Sequence, residues 1–366
     1  MSDISRAESK ILMGMGSVWG TPRDLAASGV GYLSHARLTF TDSFNEYRPN
    51  DVGFDLFIRD TLKLQRSVGV TYTCDMQWNA PSWLQVLACV MGGTTSSPAE
   101  ATETEGDYVH TITLTSNNKG KFMTLAFLIE DDEALEIPSV KWNTCTLTWT
   151  TNGVGTFTAS GIGDRVVLNA NAQNKANVIN AGSYAGAFQA APLGALNAGN
   201  HYFRLNDSDG DALGSGDDME IQGCTLTVNR AMDPKYVLRA ANSPFTVEPR
   251  QTTLTEATFQ FTHWKIDSSI RDWYANFLAE KLAKGELHFD GDQIGDGENQ
   301  SLMLQMPGMK PAPDAPGGYG VDDNSSHAEP NPSYTLLKLE SAPTNMTGVT
   351  GPQFVATIPR STSLFN

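Results

Sequence analysis

The sequence predicts a mainly β protein built as two tandem β-barrel or β-sandwich domains, each with a short flanking helix. Segments rich in Val, Ile, Thr and aromatic residues alternate between apolar and polar positions with a period of two. The pattern also recurs along the chain. Residues 38–40 match residues 226–228 at an offset of 188, and the alternating run from Val70 to Met76 matches the run from Ala257 to His263 at an offset of 187. The shared order indicates one folded unit used twice, with a chance match of two β patterns as the alternative.

The N-terminal residues 1–35 are predicted to form an arm ahead of the first domain. The start is polar, and the apolar residues that follow lack a regular period and are mixed with Gly14, Gly16 and Gly20. Such a segment suits ordering against a partner, because it makes no core of its own. A disordered terminus and an edge strand of the first barrel are the alternatives. The apolar residues of the arm are Ile11, Leu12, Met13, Met15, Val18 and Trp19.

The first barrel domain is predicted over residues 36–175. A short amphipathic helix runs from Pro81 to Met91 and is ended by Gly92, a residue suited to helix C-termini. The dipeptide Asn152-Gly153 indicates a type I′ hairpin turn, since Asn and Gly accept the positive φ angles that this turn needs. The predicted strands are Thr61 to Gln65, Val68 to Trp78, Val109 to Thr115, Phe122 to Ile129, Cys145 to Trp149 and Thr156 to Ser160.

The second barrel domain is predicted over residues 176–366. The stretch from Asn169 to Asn200 is rich in Ala, Asn and Gly, which indicates a linker between two cores. A second amphipathic helix is expected from Ser268 to Lys284, ended by Gly285. The Pro- and Gly-rich residues 307–332 predict a loop insertion. The predicted strands are Ile221 to Asn229, Leu254 to Trp264, Glu286 to Asp290, Ser301 to Met306, Tyr334 to Leu339 and Phe354 to Ile358.

The charge of the chain argues against nucleic-acid binding over most of its surface. Asp and Glu total 41 against 25 Lys and Arg, which gives a net charge of −16. The start of the chain does not resemble a signal peptide, and no apolar run has the length of a membrane span. We therefore expect a soluble protein made in a cytoplasm. The four cysteines lack CxxC spacing and are expected to be buried thiols; they are Cys74, Cys89, Cys145 and Cys224.

No motif predicts catalysis, a cofactor or a metal. The acidic run from Asp207 to Asp218 resembles a calcium loop, but Ala212 stands where the sharp turn requires glycine. The six histidines lack metal-binding spacing, and no Gly-x-Ser-x-Gly nucleophile elbow is present. A calcium-binding or carbohydrate-binding β-sandwich module is one alternative function, because of the acidic run. A β-rich hydrolase stays as another, because paired carboxylates can come from anywhere in a barrel.

The order of these parts resembles the major tail tube protein of long-tailed bacteriophages, of the longer kind that holds two tube domains in one chain. The resemblance rests on the opening Gly14-Met-Gly16-Ser-Val-Trp19-Gly20-Thr-Pro22 and on the run from Ser67 to Trp78 before the helix. It also uses the segment from Trp142 to Leu147 ahead of the hairpin and the segment from Ile221 to Asn229. The resemblance covers most of the chain, and the insertion at 307–332 departs from it.

This resemblance implies a structural, non-enzymatic virion protein without cofactor or metal. Three chains with two tube domains each would form a pseudo-hexameric ring, and stacked rings would form a conduit for DNA ejection. The arm residues from Ile11 to Trp19 are expected to form the contact between rings, so that deleting residues 1–20 would leave folded chains that fail to polymerise. Implied partners are the tape measure, tail terminator and distal tail proteins, with assembly in the host cytoplasm. DNA would pass through the lumen without specific binding, and no membrane would be involved.

Overall fold

The computed structural model describes residues 11–26, 31–32, 36–47, 62–76, 78, 82–98, 107–130, 133–151, 153–179, 201–237, 245–263, 275–276, 278–294, 298–312 and 331–359. In the first half the elements are β1 (Ile11–Met15), β2 (Gly31–Tyr32), β3 (Ala36–Tyr47), β4 (Leu62–Asp75), α1 (Ser82–Met91), β5 (Gly92–Pro98), β6 (Asp107–Leu114), β7 (Met123–Glu130), β8 (Glu133–Thr150), β9 (Thr156–Gly163), β10 (Val167–Leu168) and α2 (Lys175–Ile179). In the second half they are β11 (Tyr202–Asp207), β12 (Ile221–Asn229), β13 (Met232–Lys235), β14 (Val247–Gln251), β15 (Glu256–His263), β16 (Ala283–Ile294), β17 (Glu298–Pro311), β18 (Ser333–Leu336) and β19 (Gln353–Pro359).

The described strands confirm the mainly β prediction. Seventeen of them belong to one hydrogen-bonded sheet system, and β13 with β14 forms a separate pair. Strand β12 spans the predicted residues Ile221 to Asn229. Five of the other eleven predicted strands lie inside longer observed ones, and the remaining six overlap an observed strand but extend past one or both of its ends. Helix α1 ends at Met91 as predicted, because Gly92 adopts a φ of +92° that other residues rarely accept. Every residue of α1 is buried, so the helix fills the interior of the first half.

The strand connections of the first half recur in the second half. In the first half the pairing runs β1 to β7, β7 to β8, β8 to β9, β9 to β4 and β4 to β3. In the second half it runs β11 to β16, β16 to β17, β17 to β18, β18 to β15 and β15 to β12. All of these pairs are antiparallel. We call the described part of residues 11–179, which contains the first set of strands, the first unit, and the described part of residues 201–359, which contains the second set, the second unit.

The registers of the two units also correspond. Leu38 pairs with Tyr72 in the first unit, and Leu226 pairs with Phe259 in the second, at the offsets of 188 and 187 seen in the sequence. A bulge recurs as well. Met123 pairs with Val140 and Leu125 with Ile137, while Ala283 pairs with Met309 and Gly285 with Met306. These matches support the prediction of a unit used twice, although the domain boundaries themselves remain a prediction.

The two units share one hydrophobic core. Strand β12 pairs with β8 of the first unit, and β19 pairs with β6 over seven residues. The cluster of buried apolar residues runs without a break from Met13 and Trp142 in the first unit to Phe259 and Leu304 in the second. Trp149 of β8 stacks on Phe289 of β16 with ring centroids 5.2 Å apart. The units are therefore joined by a continuous sheet as well as by packing.

Two predicted boundaries differ from the structure. The second helix does not reach Lys284: Glu280 has a φ of +52°, and β16 begins at Ala283 because its residues pair with β11 and β17. Residues 268–274 and 277 of that predicted helix lie outside the described residues. The loop insertion does not begin at residue 307, since β17 continues through Pro311, where it pairs with β18. Residues 313–330 lie outside the described residues.

The hairpin and the linker also differ in detail. Strands β8 and β9 form the predicted hairpin, but their last pair is Thr148 with Thr156, so the connection covers residues 149–155 rather than a two-residue turn. In the predicted linker, α2 includes both sides of the 175/176 boundary, and its Val178 is buried among residues of the first unit. Those contacts place residues 175–179 with the first unit. Residues 180–200 lie outside the described residues.

Candidate functional site

The contact between the two units is the candidate functional site, because its strands pair in an unbroken register. It consists of Thr144–Thr150 in β8 and Gly223–Asn229 in β12, and we call it the unit junction. Its threonines lie on one face, where the hydroxyls of Thr146 and Thr227 are 3.4 Å apart. Apolar residues alternate with these threonines and point into the core, which is the pattern of a strand with one buried face. They are Cys145, Leu147, Trp149, Cys224, Leu226 and Val228.

Arg230 connects the end of the unit junction to the C-terminus of α1 through hydrogen bonds. The side chain is fully buried, and its guanidinium donates to the carbonyl oxygens of Val90 and Thr115 at 2.5 Å and to that of Met91. A cation at the C-terminus of a helix is favourable because the last carbonyls carry partial negative charge. Burial nevertheless lowers the pKa of Arg230 to about 10. The hydrogen bonds to carbonyl oxygens offset part of that cost of desolvation.

A second buried cation links β8 to the segment that follows β12. Lys141 is 1% exposed, and its ammonium donates to Glu248 Oε1 at 2.7 Å and to the carbonyl oxygen of Asn118. Burial lowers the pKa of Lys141, and the hydrogen bond to the Glu248 carboxylate opposes that shift. Glu248 also accepts from the backbone N–H of Gly120 at 2.7 Å. Both buried cations thus hold second-unit residues against the first unit.

The residues predicted to contact a neighbouring ring occupy two different environments. Ile11, Leu12 and Met13 are buried, because β1 pairs with β7 from Ile11 to Met15. Residues 11–15 are therefore ordered by the chain itself, as a strand that pairs with β7 along its length and with β2 at Leu12 and Met13. Met15 is half-buried, with its sulfur 3.2 Å from Cys89 Sγ. Val18, by contrast, is 58% exposed.

The glycine-rich opening shapes a turn against the first unit. A Cβ atom on Gly16 would lie 2.6 Å from the Phe122 ring, so only glycine lets the chain pass this close. Gly20 has a φ of +80°. Between them, half-buried Trp19 packs edge-on against Phe122 with ring centroids 5.4 Å apart, and its Nε1–H donates to the carbonyl oxygen of Thr246 at 3.0 Å. This turn leaves Val18 as the apolar side chain at its tip.

The acidic run from Asp207 to Asp218 is engaged within the chain. Asp218 accepts from Arg204 at 2.8 Å, and Asp217 accepts from the backbone N–H of Gly214 at 2.8 Å. Asp207 accepts from the side-chain amide of Asn276 at 2.8 Å. Within the described ranges no three His, Cys, Asp or Glu side chains group as a metal site. The geometry of this run is that of a hydrogen-bonded loop.

The four cysteines are buried and unpaired, as predicted. Burial raises the pKa of Cys74, Cys89 and Cys145 to about 12, and it raises the pKa of Cys224 further. Such thiols stay protonated at neutral pH and are poor nucleophiles.

In the part of the chain that the structure describes, no helix is both long and apolar enough to cross a membrane.

The family model for phage tail tube proteins matches residues 6–324. The chain belongs to this family. No curated protein matches the chain. Membership identifies a structural protein of the phage tail tube and confirms the resemblance seen in the opening glycines and the β12 segment. The match covers the first unit of this tail tube protein, the unit junction and the second unit as far as β17, while β18 and β19 lie beyond it.

Sequence reasoning did not find the two buried cations of this tail tube protein. Arg230 and Lys141 are a single residue each beside strand patterns, and nothing in their spacing distinguishes them from exposed charges. Their partners are mainly backbone carbonyl oxygens, which carry no sequence signal. By contrast, the alternating residues of β8 and β12 were visible as strands, although not as partners of each other.

Proposed function

We propose that this chain polymerises into the tube of a phage tail, with three chains to a ring and two tube units in each chain. The unit junction is the observation that carries the proposal. It joins two units of like connectivity edge to edge and head to tail, by β12 of one against β8 of the other. A head-to-tail contact that recurs closes into a ring when its rotation is a whole fraction of a full turn, and a rotation of one sixth of a turn gives a ring of six units. Six units, and hence three chains, then complete the pseudo-hexameric ring that the family resemblance implies.

Stacked rings form the conduit through which DNA leaves the virion. The net charge of −16 supports this role, since a wall of the same sign as phosphate attracts few DNA contacts. DNA therefore passes without specific binding. The role is mechanical and not catalytic, and it requires neither cofactor nor metal.

The predicted contact between rings centres on the turn that presents Val18. Ile11, Leu12 and Met13 support this turn from inside the core, and Met15 and Trp19 flank it. Because the turn is held by the packing of Trp19 on Phe122 and by the hydrogen bond from the Gly20 N–H to Ser139, its exposed valine offers a neighbouring ring an apolar contact at little cost in conformational entropy. Further partners follow from the position of a tube in a tail: the tape measure protein in the lumen, the terminator at one end and the distal tail protein at the other. Assembly takes place in the host cytoplasm, and the product is part of the virion tail.

Electron microscopy of the purified chain tests the proposal. We expect rings or tubes with a central hole, and a cryo-EM reconstruction with three chains and six similar lobes in each ring. Isolated two-lobed particles at all concentrations and ionic strengths would contradict assembly into a tube. Rings of six chains would still support assembly into a tube, but they would contradict the proposal that two units in each chain let three chains complete a ring.

A further inference from the structure

One face of the sheet that joins the two units carries a continuous row of threonines. The strands β4, β9, β8, β12, β15 and β18 are neighbours in this order, and each contributes one threonine at the same level. The strand registers pair each of these residues with the next: Thr73, Thr158, Thr146, Thr227, Thr258 and Thr335. Arg37 of β3 and Lys310 of β17 pair with the first and last threonine and end the row.

The two neighbouring rows have similar chemistry. Side chains two residues apart on a strand lie on the same face of the sheet. One flanking row consists of Asp75, Thr156, Thr148, Thr225, Gln260 and Ser333, and the other of Thr71, Ser160, Thr144, Asn229 and Glu256. We call these three rows the hydroxyl belt, because most of their residues are Thr or Ser.

Hydroxyls of neighbouring strands lie within hydrogen-bonding distance of each other across the belt. The pairs are Thr73 with Thr158 at 3.3 Å, Thr144 with Ser160 at 2.6 Å, Thr146 with Thr227 at 3.4 Å and Thr148 with Thr225 at 3.5 Å. Affinity for DNA comes mainly from cations that neutralise its phosphates. An uncharged hydroxyl that already bonds a neighbouring hydroxyl adds little to that affinity. The belt is therefore a polar surface to which a polyanion adheres weakly.

The opposite face of the same strands carries large apolar side chains. Phe157, Leu226 and Phe259 are each at most 1% exposed. Helix α1 lies on this side, where Trp83 packs on Phe157 with ring centroids 6.1 Å apart. Phe203 of β11 packs on Phe259 at 5.2 Å. A second layer of structure thus covers one face of the sheet, and the belt is the other face.

The difference between the two faces indicates which way the sheet curves. Side chains converge on the concave face of a curved sheet and diverge on its convex face, so small side chains suit the concave one. In a ring, moreover, the second layer with α1 and β11 fits the longer outer circumference, and the sheet fits the shorter inner one. Both considerations place the belt on the inside of the ring.

We infer that the hydroxyl belt lines the channel of the proposed ring and is the surface past which DNA moves. The inference rests on the proposed function and adds the sheet face, and its chemistry, that the DNA meets. The belt crosses the unit junction without a break, so both units of a chain contribute to one wall. Charged groups of that wall then lie at the ends of the rows and in the loops between the strands. Those at the row ends are Arg37, Asp75, Glu256 and Lys310.

Cysteine labelling of assembled tubes tests this assignment. Thr258→Cys places a thiol in the belt, at a position that is exposed in the single chain. Thr111→Cys is the matched control on β6, where Ile112 points into the core and Thr111 consequently points away from it. Dispersed chains and tubes are treated with a small maleimide and with a maleimide attached to a polymer too bulky to enter the channel. The wild-type chain, with its four buried cysteines, gives the background.

The polymer reagent distinguishes the inside of a tube from its outside. We expect it to label Thr258→Cys at least tenfold more slowly in tubes than in dispersed chains, while the small maleimide still labels both states. Thr111→Cys should react with both reagents in both states. Fast polymer labelling of Thr258→Cys tubes would place the belt on the outer surface, and loss of labelling by both reagents would place it between copies. Either result overturns the inference and leaves the tube intact.

A cryo-EM reconstruction of wild-type tubes decides the same question if a variant does not assemble. We expect the threonines of the belt to be the side chains of this sheet that lie nearest the tube axis. A sheet whose threonines point away from the axis would overturn the inference without touching the proposed function. A wild-type chain that forms no tubes overturns the proposed function, and the assignment of the belt with it.

Discussion

Arg230 is the side chain that most directly connects the two units at the scale of single residues. Its guanidinium donates hydrogen bonds to the carbonyl oxygens of Val90, Met91 and Thr115, all in the first unit. We expect Arg230→Met to lower the free energy of unfolding by about 2 kcal/mol or more, since the carbonyl oxygens of Val90 and Thr115 lose this donor and each such loss costs about 1–3 kcal/mol. The Met91 carbonyl keeps the N–H of Thr115 as a donor. Urea unfolding followed by tryptophan fluorescence measures the change.

A matched control for Arg230 removes a cation at the surface. Lys281→Met breaks an exposed ion pair with Asp207 at 3.3 Å, and such pairs contribute about 0–1 kcal/mol. If both variants shift the urea midpoint by the same small amount, the buried guanidinium does not hold the units together.

The buried thiols make stability sensitive to alkaline pH. Burial raises the pKa of Cys89 from 9.0 to about 12, so the folded state keeps a proton that the unfolded state loses. The stabilisation is complete below pH 9 and is lost as the pH rises toward 12. Each such thiol lowers the free energy of unfolding by about 1.4 kcal/mol per pH unit within that window. We expect Cys89→Ala to show a slope shallower by this amount.

The comparison with Cys89→Ala is needed because other groups titrate in the same range. The lowered pKa values of Lys141 and Arg230 raise stability with pH, opposite to the thiols, and they are present in both proteins. Urea unfolding at intervals from pH 8 to pH 11 gives the two slopes. Parallel slopes would show that Cys89 titrates normally and is not shielded from solvent.

At the scale of elements, β1 shows how one segment serves both folding and the proposed contact. Met13 is fully buried, so we expect Met13→Ala to cost about 2–5 kcal/mol, as for other large-to-small changes in a core. Val18 is exposed, so Val18→Asp should change the melting temperature little while weakening the proposed stacking of rings. Thermal unfolding and electron microscopy of both variants separate the two roles. Long tubes formed by Val18→Asp would remove this turn from the contact between rings.

The burial of β1 also revises what truncation should do. Removing residues 1–20 deletes the five residues that pair with β7 and the buried side chains of Ile11, Leu12 and Met13. We therefore expect this truncation to give unfolded or aggregated chains, rather than the folded, assembly-deficient chains that the sequence alone predicts. Circular dichroism of the truncated protein distinguishes these outcomes. A native spectrum and melting temperature would restore the view of an independent arm.

The elements that sequence could predict are those with strong local signals. The β12 and β15 strands alternate regularly, and α1 is an apolar run ended by Gly92, so their positions were visible. The burial of β1 was not, because Ile11 and Leu12 are neighbours that enter different clusters on the two faces of the strand. The sequence predicts that the second helix continues through Ala283 and Lys284, because these two residues fit a helical pattern as well as they fit a strand. In the structure they belong to β16. Pairing with β11 and β17 decided their conformation.

At the scale of the whole molecule, the repeat was visible in the sequence but the way its units join was not. Offsets of 188 and 187 residues revealed that a pattern recurs. The pairing of β8 with β12 joins segments distant in the chain, and no local pattern specifies such a partner. A repeated unit and a head-to-tail junction together fix the number of chains that a ring of given size needs.

We predict that one ring contains three chains. With a chain mass of 39.6 kDa, native mass spectrometry of dissociated rings should give about 119 kDa, three times the chain mass. Dispersed chains, measured before assembly, provide the reference at the mass of one chain. A ring of six chains, with twelve units, would contradict the prediction even if tubes form.

We also predict that the channel wall carries more Asp and Glu than Lys and Arg. DNA has to slide along this wall, and each lumenal cation would add a phosphate contact that holds it. The chain has 41 acidic and 25 basic residues, so an acidic wall is possible. This composition does not say which acidic residues line the channel, since acidic loops such as Asp207–Asp218 can equally face outward. A cryo-EM reconstruction of the tube allows the charged side chains lining the bore to be counted. A basic or neutral wall would show that the net charge serves solubility instead of DNA passage.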